Sequence, residues 1–202
     1  MLIIGITGPS GAGKGAVSEY LNTKYNFPVI DADRVYHDII STPSDCVREL
    51  TEQFGTSVLN EDGGIDRKAL SRLVFGEENR SKLLLLNKIT HKYVIAEIGG
   101  LIEKYASEGT DATVIDAPLL IEAKVNDICD YVIAVLADKA VRAERIAMRD
   151  GIDKESALLR INSQKPDGFY KDSSHCVLQN DFDLKALKDS VDQFLQHRSI
   201  IK

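Results

Sequence analysis

The feature that most constrains this chain of 202 residues is a glycine-rich loop that begins at its eighth residue. Residues 8–15 read Gly-Pro-Ser-Gly-Ala-Gly-Lys-Gly, and they follow the apolar run 2–6, which has the length of a buried strand. The spacing G-x-x-x-x-G-K between a strand and a helix is typical of a loop that binds phosphate. Glycines allow backbone N–H groups to turn inward around phosphate oxygens, and the positive end of the following helix adds to the attraction. An ordinary glycine-rich turn accounts for neither the strand nor the lysine, so we expect a nucleoside triphosphate to bind here.

One position of the loop departs from this pattern. Gly8, Gly13 and Lys14 are in register, and Lys14 supplies an ammonium group for the outer phosphates. Gly15, however, stands where Ser or Thr usually directs a hydroxyl group to Mg²⁺. We therefore expect a metal site that depends on carboxylates from elsewhere in the chain.

Composition and charge argue against several classes of protein. The net charge of −6 is unlike that of a general nucleic-acid-binding protein or a polybasic membrane anchor. No apolar run reaches the roughly 18 to 20 residues that span a membrane, and the N-terminal run lacks the basic flank of a signal peptide. Cys46, Cys129 and Cys176 form no C-x-x-C pair, which favours small buried side chains in a reducing compartment over disulfides or a zinc site. We expect a cytoplasmic protein without nucleic-acid or membrane partners.

The alternation of apolar and helical segments predicts an α/β fold. Short, nearly continuous apolar strands fit a parallel sheet that is covered by helices on both faces. We predict a three-layer α/β/α core of the P-loop type, with five parallel strands in the order 2-3-1-4-5. The predicted strands lie at 2–7, 28–30, 112–116, 131–136 and 175–178.

The long segment between the second and third strands predicts an inserted helical subdomain. Asp66 is a candidate N-cap there, and residues 60–64 form a candidate turn. We place this subdomain at 33–111, over the carboxyl ends of the strands, where open α/β sheets bind ligands. The nucleotide-binding core then comprises 1–32 and 112–202. The predicted helices of the insertion lie at 33–41, 45–54, 66–74 and 79–106.

Candidate catalytic carboxylates follow the second strand. Asp31 and Asp33 stand where that strand ends, and His37 lies four residues after Asp33, on the same face of a helix. A carboxylate at this position can accept a proton from an attacking hydroxyl group or hold Mg²⁺ through water. The alternatives are that Asp31 and Asp33 only cap the next helix and that His37 is a packing residue.

A further carboxylate closes the third strand. Asp116 follows Val114 and Ile115, the position from which a carboxylate approaches the metal ion of a bound nucleotide, directly or through water. The alternatives are that Asp116 only makes the strand end soluble or caps a helix. Because position 15 has no hydroxyl group, Asp33 and Asp116 are the expected Mg²⁺ residues.

Basic residues cluster at about 139–165, a segment whose charge is opposite to that of the whole chain. Arg142, Arg145 and Arg149 share one helix face, where like charges repel unless an anionic group lies opposite. A transferring phosphoryl group suits the arginine fork. The alternative is a solvated face with local pairs, such as Asp138 with Arg142. Residues 164–174 are predicted to form an exposed loop. Together with this loop, the basic segment is interpreted as a mobile lid that excludes water from the reacting phosphate.

These motifs, in this order, resemble those of the dephospho-CoA kinase family within the nucleoside-monophosphate-kinase-like group. The D-A-D-x-x-x-H and D-x-P-L-L-x-E elements are more specific than the loop alone. The matching pieces are I-G-I-T-G at 4–8, the loop, V-I-D-A-D at 29–33 with His37, F-G-T-S-V-L at 54–59, D-G-G-I-D-R at 62–67, L-V-F at 73–75, His91, D-A-P-L-L-I-E at 116–122, Arg145, Arg149, R-I-N-S-Q at 160–164 and Asn180. The departures are Gly15-Ala16, Lys92, Arg142 and Ser174-His175.

The resemblance implies ATP-dependent phosphorylation of the 3′-hydroxyl group of dephospho-CoA, the last step of coenzyme A synthesis. It implies that Asp33 is the general base and that Lys14 and Arg145 stabilise the transferring phosphoryl group. ATP and Mg²⁺ are the implied cofactors, and the small-molecule acceptor is held by the helical insertion. The nucleotide-binding candidates are Gly8, Gly11, Ala12, Gly13, Lys14, Gly15, Ala16, Arg142 and Arg149. The acceptor-binding candidates are Asp33, His37, His91, Asp116 and Leu119.

Two other interpretations of the sequence remain open. The chain could be a kinase of another nucleoside or nucleotide, which would share the loop, the base and the lid. It could also be a nucleotide sensor that has kept the loop and lost catalysis, an interpretation that only Gly15-Ala16 supports. A sensor needs neither a base nor a lid. The expected assembly is a monomer or a weak homo-oligomer.

Overall fold

The computed structural model describes residues 1–181 and 183–201, and for Glu77 the backbone only. Its centre is a parallel sheet in the order β2-β3-β1-β4-β5, which confirms the predicted order. Ile4, Val114 and Ile133 are fully buried, as expected of β-branched strands that are covered on both faces. The strands are β1 (Leu2–Thr7), β2 (Val29–Asp31), β3 (Ala112–Asp116), β4 (Tyr131–Leu136) and β5 (Cys176–Gln179).

Helices connect and cover these strands. They are α1 (Lys14–Tyr25), α2 (Ala32–Ser41), α3 (Asp45–Phe54), α4 (Arg67–Val74), α5 (Arg80–Ser107), α6 (Lys139–Asp150), α7 (Lys154–Asn162), α8 (Asp167–Asp172) and α9 (Leu184–His197). The chain divides into two compact units, of which the first comprises Met1–Ile30 with Tyr105–Lys202 and the second Asp31–Lys104.

The core of the first unit lies between β1, β3, β4 and the helices α1 and α9. Val17 and Leu21 of α1 and Val191 and Leu195 of α9 are all fully buried there. The parallel register pairs Ile4 of β1 with both Val114 of β3 and Tyr131 of β4. The end of β1, from which the glycine-rich loop continues, therefore lies at the centre of the sheet.

The second unit is helical around its own core of buried apolar side chains. The side chain of Asp66 accepts hydrogen bonds from the backbone N–H groups of Lys68 and Ala69, which confirms it as the N-cap of α4. The predicted turn at 60–64 is also confirmed, because Asn60 Oδ1 accepts bonds from the N–H groups of Asp62 and Gly64. The core residues include Ile40, Cys46, Val47, Leu50, Val58, Leu70, Val74 and Ile89.

The prediction of an exposed loop over 164–174 is wrong for its central part, which forms α8. Pro166 is the N-cap of this helix, a place where its missing N–H group costs nothing. Tyr170 is 4% exposed and packs with Ala134 and Leu136 of β4. Pro166 and Gly168 predicted a loop, but the burial of this aromatic side chain stabilises a short helix instead.

The three cysteine thiols are free. Cys46 is buried, whereas Cys129 and Cys176 are half-buried. Burial raises the pKa of the Cys46 thiol to about 11 and that of Cys129 to about 12. Thiols with such pKa values are poor nucleophiles and act as small packing groups.

Candidate functional site

The glycine-rich loop between β1 and α1 has a backbone that only glycine allows at two critical positions. Gly8 has φ 137° and Gly13 has φ 103°, both in the region that L-residues avoid. A Cβ at Gly8 would overlap the carbonyl group of Val135, and one at Gly13 would overlap the amide of Asn180. The close approach of β4 and of the residue after β5 therefore explains the glycine spacing.

Side chains from two other segments hold carbonyl groups of this loop. Asn180, 6% exposed and directly after β5, donates from Nδ2 to Ala12 O at 2.8 Å. Arg142 of α6 donates from Nε to Ser10 O at 3.0 Å. In a trans peptide the carbonyl group and the next N–H group point in opposite directions. Fixing the carbonyl groups of Ser10 and Ala12 therefore directs the N–H groups of Gly11 and Gly13 to the opposite side, as in a phosphate-binding nest.

Arg142 is a buried part of this loop support. It is 4% exposed, and its Nη2 atom donates to Gln164 Oε1 at 2.7 Å. The same Gln164 oxygen accepts from Ser10 N at 3.2 Å. The Nη1 atom of Arg142 lies 3.6 Å from Asp167 Oδ1. The alternative prediction of an ion pair between Arg142 and Asp138 is therefore wrong. Burial lowers the pKa of Arg142, but Asp167 partly opposes that shift.

Arg145 and Arg149 of α6 reach the same loop by weaker contacts. Arg145 is half-buried, and its Nη1 atom lies 3.4 Å from Gly11 O and 3.5 Å from Ala12 O. Arg149 is exposed, and its Nη2 atom lies 3.5 Å from Ser10 Oγ. Hydrogen bonds of this length are weak. The guanidinium group of Arg145 can therefore turn toward an anionic ligand at little cost. That of Arg149 is also held by the neighbouring Asp150, to which its Nε atom donates at 2.7 Å and its Nη2 atom at 3.0 Å.

Lys14, the first residue of α1, also lies on the loop. Its Nζ atom donates to Gly8 O at 2.8 Å and to Pro9 O at 3.3 Å. The ammonium group therefore already occupies the loop that is expected to hold phosphates.

Asp116 at the end of β3 has a hydroxyl partner that the sequence motif did not indicate. Ser18 of α1 is 4% exposed and donates from Oγ to Asp116 Oδ2 at 2.6 Å. A Cβ at Gly15 would meet nothing within 4 Å, so position 15 has room for a side chain but offers no hydroxyl group. The hydroxyl group beside the strand-end carboxylate thus comes from one turn later in α1. The sequence signal that could have identified Ser18 is its spacing of four residues from Lys14, which places both residues on one helix face.

Two further supporting residues, Gln164 and Asn180, were not predicted as site residues. Asn180 follows β5 directly, and polar residues at strand ends are the signal that could have identified it. Gln164 follows α7, and only the contact with Arg142 shows its role. Leu119, an acceptor-binding candidate, follows β3 and is 51% exposed.

The other acceptor-binding candidates lie in the second unit. Asp31 is the N-cap of α2, since its side chain accepts from Arg34 N at 3.0 Å, which confirms the capping alternative for this residue. Asp33 and His37 are exposed and lie one turn apart on α2, where His37 Nδ1 is 3.1 Å from Ser41 Oγ. His91 of α5 is half-buried, and burial lowers its pKa.

Within residues 1–181 and 183–201, no group of three or more His, Cys, Asp or Glu side chains is arranged to hold a metal ion. The same residues include no helix that is long and apolar enough to cross a membrane.

Comparisons with known proteins identify one family. A family model described as dephospho-CoA kinase matches residues 2–186. A dephospho-CoA kinase of Carboxydothermus hydrogenoformans is 37% identical over 194 residues, covering 96% of this chain and 93% of the relative. One of Fusobacterium nucleatum is 38% identical over 197 residues, covering 97% and 98%.

Solved structures also resemble this chain. The protein TT1252 from Thermus thermophilus has a TM-score of 0.76 at 28% identity, with 97% of each chain covered. A dephospho-CoA kinase from Campylobacter jejuni has a TM-score of 0.61 at 23% identity, with 96% of each chain covered, and supports the fold alone.

Proposed function

The chain belongs to the dephospho-CoA kinase family, and we propose on this basis that it transfers the γ-phosphoryl group of ATP to the 3′-hydroxyl group of dephospho-CoA. The observation that carries the proposal is the loop support, in which Arg142 and Asn180 fix two loop carbonyl groups. A nest that is shaped before the ligand arrives loses little entropy when the triphosphate binds. Phosphoryl transfer depends mainly on such positioning and on electrostatic stabilisation.

Lys14 and Arg145 are the proposed cations at the transferring phosphoryl group. Both now contact loop carbonyl groups, and the Arg145 contacts are no shorter than 3.4 Å. Charge-assisted bonds to phosphate oxygens are stronger than bonds to neutral carbonyl groups, so ATP is expected to draw both side chains toward it. Arg149 is proposed to contact the nucleotide from the exposed end of the same helix face.

Arg142, predicted as a nucleotide ligand, is better placed for another role. Its guanidinium is buried against Ser10, Gln164 and Asp167. We therefore assign it the positioning of the loop, with Gln164 as its partner. Gly8, Gly11, Ala12, Gly13, Gly15 and Ala16 remain the proposed backbone ligands of the phosphates.

Asp33 is the proposed general base. The N-cap of α2 is Asp31, so capping does not explain the second carboxylate in D-A-D. Asp33 lies in the first turn of α2 and is exposed, where a carboxylate can meet a hydroxyl group of the acceptor. His37, His91 and Leu119 are proposed to bind the acceptor, and the lowered pKa of His91 favours a neutral imidazole there.

The carboxylates fit Mg²⁺ bound together with ATP. Mg²⁺ is usually held by one or two carboxylates, substrate phosphates and water, without an all-protein cage. Asp116 is half-buried and oriented by Ser18, which suits such a role, and Asp33 is the second proposed ligand, through water. When bound, Mg²⁺ neutralises charge on the phosphate oxygens.

One experiment tests the acceptor. Purified protein is incubated with ATP, Mg²⁺ and, in turn, dephospho-CoA, AMP, CMP, adenosine or pantetheine phosphate, and mass spectrometry detects the acceptor that gains a phosphoryl group. We expect dephospho-CoA to be converted fastest, Lys14→Ala to abolish conversion, and the exposed control Lys185→Ala to leave it unchanged. Faster conversion of AMP, CMP or adenosine would make the chain another nucleoside or nucleotide kinase. ATP binding without any phosphorylated acceptor would make it a sensor.

A further inference from the structure

A basic pocket lies on α4, in the second unit and apart from the glycine-rich loop along the chain. Its volume is about 590 Å³, and its lining comprises Arg67, Lys68, Ser71 and Arg72. These residues share one face of α4, while Leu70 and Val74 on the other face are buried in the core. The pocket therefore presents three cations and one hydroxyl group from a single short helix.

This arrangement of charge is unfavourable for the helix alone. Lys68 and Arg72 are like charges four residues apart, which repel each other. Arg67 and Lys68 lie in the first turn, at the positive end of the helix dipole, where acidic residues are favoured. The carboxylate of Asp66 compensates only in part, because its Oδ1 atom is already bonded to backbone N–H groups as the cap.

Three other cations of the same unit have acidic partners. Arg34 pairs with Asp38, Arg48 with Asp45 and Lys92 with Glu49. Among the described side chains, which exclude that of Glu77, no carboxylate lies within ion-pair distance of Arg67, Lys68 or Arg72. A ligand with more than one negative charge would remove the repulsion within α4.

We propose that the α4 pocket, formed by Arg67, Lys68, Ser71 and Arg72, binds the diphosphate group of the acceptor. Arginine forks and a hydroxyl group match phosphate oxygens, and two neighbouring phosphates can engage cations that are one helical turn apart. The proposed site of the ATP phosphates is the loop of the first unit. The pocket has this role only if dephospho-CoA is the acceptor, as proposed above, because its diphosphate lies between adenosine and pantetheine.

The test compares dephospho-CoA with adenosine, an acceptor that lacks both the diphosphate and the pantetheine; of these two parts only the diphosphate is charged. Lys68→Gln and Arg72→Gln are made singly, and Arg48→Gln is the control, since it removes an exposed charge that Asp45 already compensates. For dephospho-CoA and for adenosine, kcat/KM is measured at saturating ATP, and the KM for ATP is measured separately. For each pocket variant we expect kcat/KM for dephospho-CoA to fall about tenfold, as for a lost charge-assisted bond. The values for adenosine and the KM for ATP are expected to stay within twofold.

Three outcomes would overturn the assignment of the pocket. They are an unchanged kcat/KM for dephospho-CoA, an equal loss with adenosine, or an equal loss in Arg48→Gln. A wild-type protein that does not phosphorylate dephospho-CoA at all would instead overturn the proposed function. Thermal melting of each variant accompanies the kinetics, and the unchanged KM for ATP shows that the nucleotide site is intact.

Discussion

Ser18→Ala removes the hydroxyl group that orients the proposed Mg²⁺ carboxylate. Ser18 Oγ donates to Asp116 Oδ2 at 2.6 Å, and Gly15 offers no hydroxyl group in its place. A hydrogen bond to a charged group contributes about 1.5 to 3 kcal/mol. Because Asp116 is half-buried, water can replace part of the interaction, so we take about 1.5 kcal/mol. Since about 1.4 kcal/mol corresponds to a factor of ten, the Mg²⁺ concentration for half-maximal rate should rise about tenfold.

Two measurements separate this effect from a general loss of structure. Initial rates are titrated with Mg²⁺ at fixed ATP, and Mn²⁺ binding in the presence of ATP is followed by electron paramagnetic resonance, which does not depend on turnover. Ser190→Ala is the matched control, since its hydroxyl group in α9 donates only to Ala186 O, at 2.9 Å. The affinity for Mn²⁺ should fall in Ser18→Ala and stay unchanged in Ser190→Ala.

The reasoning would be refuted by a Ser18→Ala protein whose Mg²⁺ requirement and Mn²⁺ affinity both stay within twofold of wild type. A lower melting temperature with unchanged metal dependence would show that Ser18 only stabilises the contact between α1 and β3. The double variant Gly15→Ser/Ser18→Ala adds a further check. If the hydroxyl group is what matters, it should recover part of the lost metal affinity.

Three other substitutions test the remaining roles. Asp33→Asn should lower kcat at least about 100-fold, the usual contribution of a general base, with little change in ATP affinity, and unchanged turnover would exclude it as the base. Arg145→Ala should lower kcat by about 10³-fold or more if it acts like an arginine finger, whereas a loss below about tenfold would indicate a surface role. Gly15→Ser should fold, because a Cβ there meets nothing within 4 Å, and should lower the Mg²⁺ concentration needed for half-maximal rate; a protein that fails to fold would show that α1 requires glycine at its start.

Much of the fold followed from local sequence patterns. The five strands were predicted within one residue of their ends, because short β-branched runs buried on both faces have no competing helical pattern. The boundaries of α3 matched those predicted, since Ser44 caps its start and Gly55 follows its end. The failure at α8 has the opposite cause. Pro166 and Gly168 are local signals for a loop, while the burial of Tyr170 against β4 is a tertiary contact that no local pattern contains.

The arginines of α6 show why the site was predicted only in part. Their spacing placed Arg142, Arg145 and Arg149 on one face, and all three do reach residues 10–12 of the loop. Spacing could not distinguish a buried guanidinium that holds a carbonyl group from one that remains available to a ligand. That difference depends on Gln164 and Asp167, which lie 22 and 25 residues after Arg142 in the chain and meet it only in the folded protein.

The absence of Ser or Thr at position 15 does not by itself favour a nucleotide sensor. Loss of that hydroxyl group would matter if Asp116 were left without a donor, but Ser18 supplies one at 2.6 Å from a fully formed α1. A sensor would also have no need for a carboxylate at Asp33 beyond the cap that Asp31 already provides. Both observations are easier to reconcile with phosphoryl transfer, in which a metal carboxylate must be oriented and a hydroxyl group must lose its proton. Ser18 orients Asp116, the proposed metal carboxylate, and Gly15 does not by itself exclude the proposed reaction.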